Sequence, residues 1–246
     1  MLHKAKILLT RPLRDSEELC DLLQRKGYSC RITPLLKICR TKYVMPECFS
    51  PDIILITSKN AVRFFDFNLP KLENASVVVL GKKTAQFLKM KIKKKVTFID
   101  GDEKQLLNKN HAHLIPEGCK VLHPTSQIKN RYLADFLLKI KCQYLPIICY
   151  KSHKENEFES QFINFMKNED GLITIFSSRT AESLSKEIAK LNLRKFCSKK
   201  KVLVLSHKIA NKLKKLSFSE FFISKEPNLL SMIKEIDSIF KKRELF

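Results

Sequence analysis

Residues 52–65 read DIILITSKNAVRFF, and residues 171–184 read GLITIFSSRTAESL. Each stretch begins with a mostly apolar run, which a pair of hydroxyl residues and then one basic residue follow. Apolar runs of this length are typical of strands that helices cover on both faces. The residues after the basic residue have helical periodicity, so both stretches predict a buried strand that turns directly into a helix.

The same alternation of short apolar runs and helical patterns continues along almost the whole chain. We predict strands near residues 6–10, 30–38, 52–56, 76–80, 96–99, 119–123, 143–151, 171–176, 201–205 and 220–223. We predict helices near residues 14–26, 58–67, 82–91, 102–114, 129–140, 155–167, 179–191, 207–215 and 227–242. Strands that alternate with helices predict an α/β fold with parallel sheets.

Further pairs of segments recur in the same order as the opening pair. They are KILLTRP (6–12) with KVLHPTS (120–126), TPLLKI (33–38) with LPIICY (145–150), and SVVVLGKKTAQFLK (76–89) with KVLVLSHKIANKLK (201–214). The chain therefore holds two copies of one α/β unit, each with roughly five strands, and the simplest topology for such a unit is flavodoxin-like. Periodicity alone places the boundary between two tandem domains near Pro116.

The chain is strongly basic. Its 246 residues include 47 Lys and Arg against 25 Asp and Glu, which gives a formal net charge of +22. This balance favours an acidic partner, such as a nucleic acid, an anionic membrane, or a small polycarboxylate or polyphosphate. A general bias towards lysine would explain the charge equally well. Nucleic acid is disfavoured, because the phenylalanines lie at core spacings, as in FINFM, and not between basic residues on one face.

Cysteine usage and hydropathy limit the remaining classes of protein. None of the eight cysteines forms a C-x-x-C motif, so we expect reduced, mostly buried thiols and no metal site. The N-terminal apolar run is too short for a signal peptide, and no stretch approaches the roughly 20 apolar residues of a membrane span. With 44% hydrophobic residues the chain can bury a full core. We expect a soluble, cytoplasmic protein.

Polar residues lie where the predicted strands end and the helices begin. In open α/β sheets, ligands bind outside the carboxyl ends of the strands, where helix N-termini present free N–H groups to anions. The corner residues are Thr10-Arg11, Thr57-Ser58, Gly81-Lys82, Thr125-Ser126, Ser177-Ser178 and Ser206-His207. Each serine on its own is explained as a helix N-cap. Several such corners at one cleft would form a receptor for a molecule with many negative charges.

Taken together, these segments resemble the uroporphyrinogen-III synthase family over essentially the whole chain. The resemblance rests on the order and spacing of ILLTRP, KGYSCRITPLLKI, IILITSKNAVRFF, VVVLGKKTAQFLK, VLHPTS with YLADFLL, LPIICYKS, ITIFSSRTAESL, VLVLSHKIANKLKKL and SKEPNLLSMIKEI. It implies two flavodoxin-like, doubly wound parallel-sheet domains that a two-stranded β linker joins, with the active site in the interdomain cleft. The resemblance also implies a different division from the tandem boundary near Pro116. It predicts that residues 1–36 with 149–246 form one domain and residues 37–148 the other, with linkers near 33–38 and 145–150.

The activity that the resemblance implies is the cyclisation of hydroxymethylbilane, a linear tetrapyrrole with eight carboxylates, to uroporphyrinogen III with inversion of ring D. The first ring loses its hydroxyl as water, and the substituted carbon of ring D attacks the resulting azafulvene cation through a spiro intermediate. Catalysis is mainly orientation, with no cofactor and no metal. We also expect a monomer that can receive its substrate in a transient handover from the enzyme that makes it. The alternative is a non-catalytic two-domain protein that binds a small polyanion.

Tyr150 is the catalytic residue that the resemblance implies, because it ends the LPIICY run and family members have a tyrosine there that assists the departing hydroxyl. The candidate substrate-binding residues are Arg11, Thr57, Ser58, Lys59, Thr84, Ser177, Ser178 and Arg179. Thr84 matches a family threonine, whereas the second copy has Ile209 and Ser206 where the family often has Thr and Gly. Each candidate also has a structural explanation: capping for the hydroxyls, solvation for the cations and packing for the tyrosine.

Overall fold

The chain divides into two compact units. The computed structural model describes residues 6–101, 103–106, 109–127 and 131–241. Unit 1 combines the chain up to Lys37 with the chain from His153 onward, and unit 2 is the intervening segment Ile38–Ser152. Each unit contains its own sheet, and the predicted α/β fold with parallel sheets is confirmed.

The strands and helices alternate along the described part of the chain. The strands are β1 (Lys6–Leu9), β2 (Ser29–Ile32), β3 (Leu36–Arg40), β4 (Ile53–Ile56), β5 (Ser76–Leu80), β6 (Val96–Ile99), β7 (Lys120–Ser126), β8 (Gln143–Lys154), β9 (Gly171–Ile175), β10 (Lys200–Val204) and β11 (Glu220–Ile223). The α-helices are α1 (Leu13–Gln24), α2 (Lys59–Phe64), α3 (Lys82–Lys89), α4 (Glu103–Leu106), α5 (Arg131–Lys139), α6 (Glu159–Asn168), α7 (Ser178–Lys190), α8 (Arg194–Cys197), α9 (His207–Leu213) and α10 (Leu229–Lys241). Among the described residues, no helix combines the length and the hydrophobicity that a membrane span requires.

The second predicted strand is divided into β2 and β3, which belong to different sheets. Pro34 lies between them, and a proline has no N–H for a strand ladder. The N–H groups of Thr33 and Leu35 still bond the carbonyls of Leu9 and Thr10, at 2.9 and 3.3 Å. The segment therefore follows β1 past the proline before the chain enters the second sheet.

The predicted helix at 102–114 is also shorter than expected. In the described residues it consists of α4 and a separate 3₁₀ turn, Lys109–Leu114. Asn110, His111 and His113 are weak helix formers and supply no apolar stripe, so the segment has little to hold a continuous helix.

Alternate residues of the strands enter two different cores, which explains why the strands are apolar throughout. In unit 1, Leu8 and Ile173 pack with α6 and α7 on one face, while Ile7 and Leu172 pack with α1 and α10 on the other. All four of these side chains are fully buried. Burial of one such side chain stabilises the fold by about 1.5–3 kcal/mol. Unit 2 is built the same way, with α2 and α3 on one face of its sheet and α5 on the other.

The two sheets have the same spatial order of strands but a different order along the chain. The unit 1 sheet has the order β2-β1-β9-β10-β11, and the pairs in it are parallel. The unit 2 sheet has the order β8-β7-β4-β5-β6, also parallel, with β3 added beside β8. If β7 corresponds to β1 and β4 to β9, both sheets have the doubly wound order 2-1-3-4-5.

This correspondence agrees with the sequence repeat and shows how its copies are distributed. Each unit contains the first two strands of one copy and the last three strands of the other. The boundary near Pro116 that periodicity suggests is wrong as a spatial boundary, because it lies inside unit 2 between β6 and β7.

We expect a fragment of residues 38–152 to fold on its own, because it contains β4–β7, all but the last two residues of β8, and both apolar clusters of unit 2. Circular dichroism and a cooperative urea transition would detect this. The matched control is a fragment of residues 1–116, which has only part of each sheet and should show no such transition. That the units are independent domains stays a prediction. A cooperative transition of 1–116 beside an unfolded 38–152 would contradict it.

Candidate functional site

The carboxyl ends of the parallel strands in unit 2 carry a group of polar side chains. Thr57 and Ser58 follow β4, Gly81 follows β5, and Ser126 is the last residue of β7. Tyr150 of β8 pairs with Ser126 across a bulge. Since the strands are parallel, these residues lie at one edge of the sheet. We call this group, with Thr84 from the first turn of α3, the unit 2 edge.

Ser58 is the N-cap of α2. Its backbone is extended and its Oγ accepts the N–H of Asn60 at 3.0 Å. An accepting hydroxyl keeps its own proton, so Ser58 remains able to donate to a ligand.

Gly81 allows the sharp turn from β5 into α3. Its φ is +83°, a left-handed conformation that a side chain disfavours. Its N–H bonds the carbonyl of Ile99 at 2.8 Å, and its carbonyl accepts the N–H of Thr84 at 3.0 Å. Thr84 is half-buried in the first turn of an eight-residue helix, where the helix dipole favours anions.

Thr57 is bonded to a buried histidine that the sequence analysis did not single out. His123 of β7 is 2% exposed. Its Nε2 lies 3.0 Å from the Thr57 Oγ1, and its Nδ1 lies 2.8 Å from the Tyr144 hydroxyl. Burial lowers the pKa of the His123 imidazole to about 4, so the ring is neutral at pH 7. The signal in the sequence was a single polar residue within the apolar run VLHP.

Tyr150 is half-buried at the unit 2 edge. Its ring packs against the apolar cluster that contains Cys149 and Ile147, and its centroid lies 6.2 Å from that of Phe64 at an angle of 29°. The ring is therefore supported by packing while it remains partly accessible, which suits a side chain that meets a ligand.

A second group of candidates lies at the carboxyl edge of the unit 1 sheet. Arg11 follows β1, and Ser177 and Ser178 lie at the start of α7 after β9. Strands β1 and β9 are parallel neighbours, so these residues share one edge, which we call the unit 1 edge. Ser177 is the N-cap of α7, and its Oγ accepts the N–H of Thr180 at 3.1 Å.

Arg11 is held in place from two sides. Its Nη2 lies 3.1 Å from the Asp15 carboxylate, and its guanidinium lies 4.6 Å from the centre of the Phe176 ring. A guanidinium has five N–H donors, and an ion pair with one carboxylate does not use all of them. The arrangement fixes the orientation of Arg11 and leaves donors for a second anion.

The two remaining cations, Lys59 and Arg179, lie in the first turns of α2 and α7. Lys59 lies 6.0 Å from the centre of the Phe87 ring, which Arg63 and Lys91 also approach. Arg179 is exposed on α7. Together with the stronger effect of Lys212, it lowers the pKa of Glu182. The structure thus gathers Thr57, Ser58, Thr84 and Tyr150 at one edge and Arg11, Ser177 and Ser178 at another, while Lys59 and Arg179 lie beside other partners.

The fold and the polar strand ends define a doubly wound α/β protein with two units. Residues 17–234 match the model of the family HEM4, uroporphyrinogen-III synthase HemD. This match covers most of the chain, and the protein belongs to the uroporphyrinogen-III synthase family.

Solved structures show the same fold. Uroporphyrinogen-III synthetase from Helicobacter pylori is 17% identical with a TM-score of 0.66, and the match covers 96% of this chain and 99% of that one. A mutant uroporphyrinogen III synthase from the extremely thermophilic bacterium Thermus thermophilus is 18% identical with a TM-score of 0.58, covering 97% of this chain and 99% of that one. At this level of identity the likeness concerns the fold alone. Comparison with curated proteins gives no match.

Family membership defines the reaction. The protein is a cyclising lyase of haem and other porphyrin biosynthesis, and its small-molecule substrate is hydroxymethylbilane. It closes the tetrapyrrole, with loss of water, to uroporphyrinogen III.

Proposed function

We propose that the polar residues of the unit 2 edge and of the unit 1 edge bind hydroxymethylbilane, and that Tyr150 assists the departure of its hydroxyl. The observation that carries this proposal is the gathering of Thr57, Ser58, Thr84 and Tyr150 at the carboxyl ends of parallel strands. Ligands of open α/β sheets bind at this edge.

The substrate carboxylates require hydrogen-bond donors. Ionised carboxylates only accept, and hydroxyls, guanidinium groups and helix N-termini all donate to them. The hydroxyls of Ser58 and Thr84 lie at helix starts, where the dipole adds to the attraction. Arg11 would hold one carboxylate on the donors that Asp15 leaves unused. Lys59, Ser177, Ser178 and Arg179 complete the proposed set.

Tyr150 acts on the leaving group in this proposal. Its phenol donates a hydrogen bond to the departing hydroxyl, which leaves as water once the phenol proton has been transferred and an azafulvene cation remains. A phenol with an ordinary pKa near 10 is a weak acid. The electron-rich pyrrole supplies most of the driving force, so a phenol that is only a weak acid can still deliver this proton once it is oriented towards the leaving hydroxyl.

Orientation accounts for the isomer that forms. Without an enzyme, hydroxymethylbilane also closes, but to the type I isomer without inversion of ring D. Holding the carboxylates fixes the fold of the linear tetrapyrrole, so that the substituted carbon of ring D meets the cation.

We also infer that the protein is a cytoplasmic monomer that can receive its substrate from the enzyme that makes it. All eight cysteines are free thiols, including Cys119 and Cys142, whose sulfurs are 3.6 Å apart. Free thiols in such proximity are compatible with a reducing compartment.

Purified protein should convert hydroxymethylbilane mainly to the type III isomer, because the bound substrate closes only after ring D is oriented. Chromatography of the oxidised products separates type I from type III and measures the ratio. Heat-denatured protein keeps the net charge and is the control, which should give type I. Type I alone from the folded protein would contradict the proposal.

A further inference from the structure

Three polar side chains, two on strands and one directly after a third strand, form a continuous row of hydrogen bonds inside unit 2. Thr57 follows β4, His123 lies on β7 and Tyr144 lies on β8. The contacts are 3.0 Å from Thr57 Oγ1 to His123 Nε2 and 2.8 Å from His123 Nδ1 to the Tyr144 hydroxyl. Both ring nitrogens are thus satisfied, as a buried imidazole requires.

These side-chain hydrogen bonds lie where the backbone pairing between β4 and β7 ends. That ladder pairs Ile53 with Val121 and Ile54 with Leu122. Pro124 follows two residues later and has no N–H to continue it. Beyond the ladder, the Thr57–His123 side-chain bond joins the two strands, so the position of the Thr57 hydroxyl depends on His123.

The direction of the hydrogen bonds decides what Thr57 can offer to a ligand. The buried ring is neutral, so one ring nitrogen donates and the other accepts. If Tyr144 donates to Nδ1, then the Nε2–H donates to Thr57 and the hydroxyl proton of Thr57 is free. If the direction is reversed, the Thr57 hydroxyl donates its hydrogen to His123 Nε2 and presents only lone pairs to a ligand.

A substrate carboxylate selects between these two directions, because it only accepts hydrogen bonds and is repelled by lone pairs. We propose that Tyr144 and His123 are positioning residues that hold the Thr57 hydroxyl as a hydrogen-bond donor for a carboxylate of hydroxymethylbilane. The inference rests on the proposed function of Thr57 as a substrate-binding residue. In this proposal neither His123 nor Tyr144 touches the reacting atoms of the substrate.

The first test is the effect on substrate binding. A hydrogen bond to a charged group contributes enough that its loss raises KM about tenfold. We expect this increase in Thr57→Val, which removes the hydroxyl, and in His123→Phe, which removes the donor to it, with kcat nearly unchanged. His123→Gln should restore most of the wild-type KM, because its amide N–H can replace the Nε2–H.

The double variant Thr57→Val/His123→Phe isolates the coupling between the two residues. If His123 acts through Thr57, the double variant has the KM of Thr57→Val alone. A KM that rises by the product of the two single effects would overturn the inference. An increased KM in Thr57→Val together with an unchanged KM in His123→Phe would overturn it while leaving the substrate-binding role of Thr57 intact.

Tyr144→Phe tests the residue that bonds the other ring nitrogen of His123. We expect KM to rise several-fold, because nothing then holds the proton on Nε2. The matched control is Tyr28→Phe, which removes the same hydroxyl from a half-buried bond to Asp237 in unit 1 at 2.8 Å. Tyr28→Phe should leave KM unchanged. Equal changes of KM in both variants would attribute the effect to general loosening and overturn the inference.

A spectroscopic measurement distinguishes this inference from the proposed function. Nitrogen chemical shifts of the imidazole in the intact protein without substrate report which ring nitrogen carries the proton. The Nε2–H form is expected in the wild type, and the Nδ1–H form would overturn the inference. If the Nε2–H form is present but Thr57→Val leaves KM unchanged, the substrate-binding role of Thr57 fails and the inference fails with it, while Tyr150 remains testable on its own.

Discussion

Replacing Tyr150 with phenylalanine is expected to lower kcat for type III formation by about tenfold or more. The substitution removes only the phenol oxygen, so the hydrogen bond to the departing hydroxyl is lost while the ring keeps its packing on Phe64. The free energy of unfolding should change little for the same reason. Steady-state rates of type III formation, with type I measured in parallel, give the effect.

Tyr43→Phe is the matched control for this substitution. Tyr43 packs against the same apolar cluster as Tyr150, but its hydroxyl accepts the N–H of Asp66 at 2.8 Å and is not part of the unit 2 edge. We expect its kcat to equal that of the wild type. A Tyr150→Phe variant with wild-type kcat would remove Tyr150 from the mechanism.

Acidification from pH 7 to pH 4 should lower the free energy of unfolding, and His123 should account for about 3 kcal/mol of the decrease. The pKa of His123 is lowered by burial from 6.5 to about 4 in the folded protein. Between these two values the unfolded chain binds a proton that the folded chain does not, so stability falls as the pH decreases through this window. The Tyr144 hydroxyl contacts the ring at 2.8 Å.

His123→Gln separates this contribution from the rest of the titration. The glutamine can keep one hydrogen bond but has no proton to take up, so its stability should decrease less steeply over the same range. Urea denaturation at fixed pH steps measures both curves. Parallel curves for the wild type and His123→Gln would show that the imidazole is not held neutral by burial.

The sequence predicts the strands well because each is buried on both faces, so that its apolar run is unbroken. The strand Ile53–Ile56, for example, places Ile54 in one core and Leu55 in the other. Which sheet a strand joins is not encoded locally. The two copies of the repeat predict matching strands equally well whether the copies fold in tandem or exchange halves.

Part of the candidate site could also be predicted from the sequence. Ser58 and Ser177 stand in the sequence as caps after apolar runs, and both are caps in the structure. His123 was not found, because its importance depends on Thr57 and Tyr144, which lie 66 and 21 residues away along the chain. The substrate-binding and catalytic roles themselves stay predictions.

The exchange of halves between the two copies has a consequence for synthesis on the ribosome. Strand β1 is made first and is an inner strand of its sheet, with Ile7, Leu8 and Leu9 fully buried in the finished protein. Its neighbour β9 begins only at Gly171, after the last strand of unit 2 has been synthesised. At about 5–20 residues per second, β1 waits on the order of 10 s without that neighbour. During this interval the nascent chain carries an apolar strand with one sheet edge open, and a chaperone that binds extended apolar segments would find its target at the amino terminus.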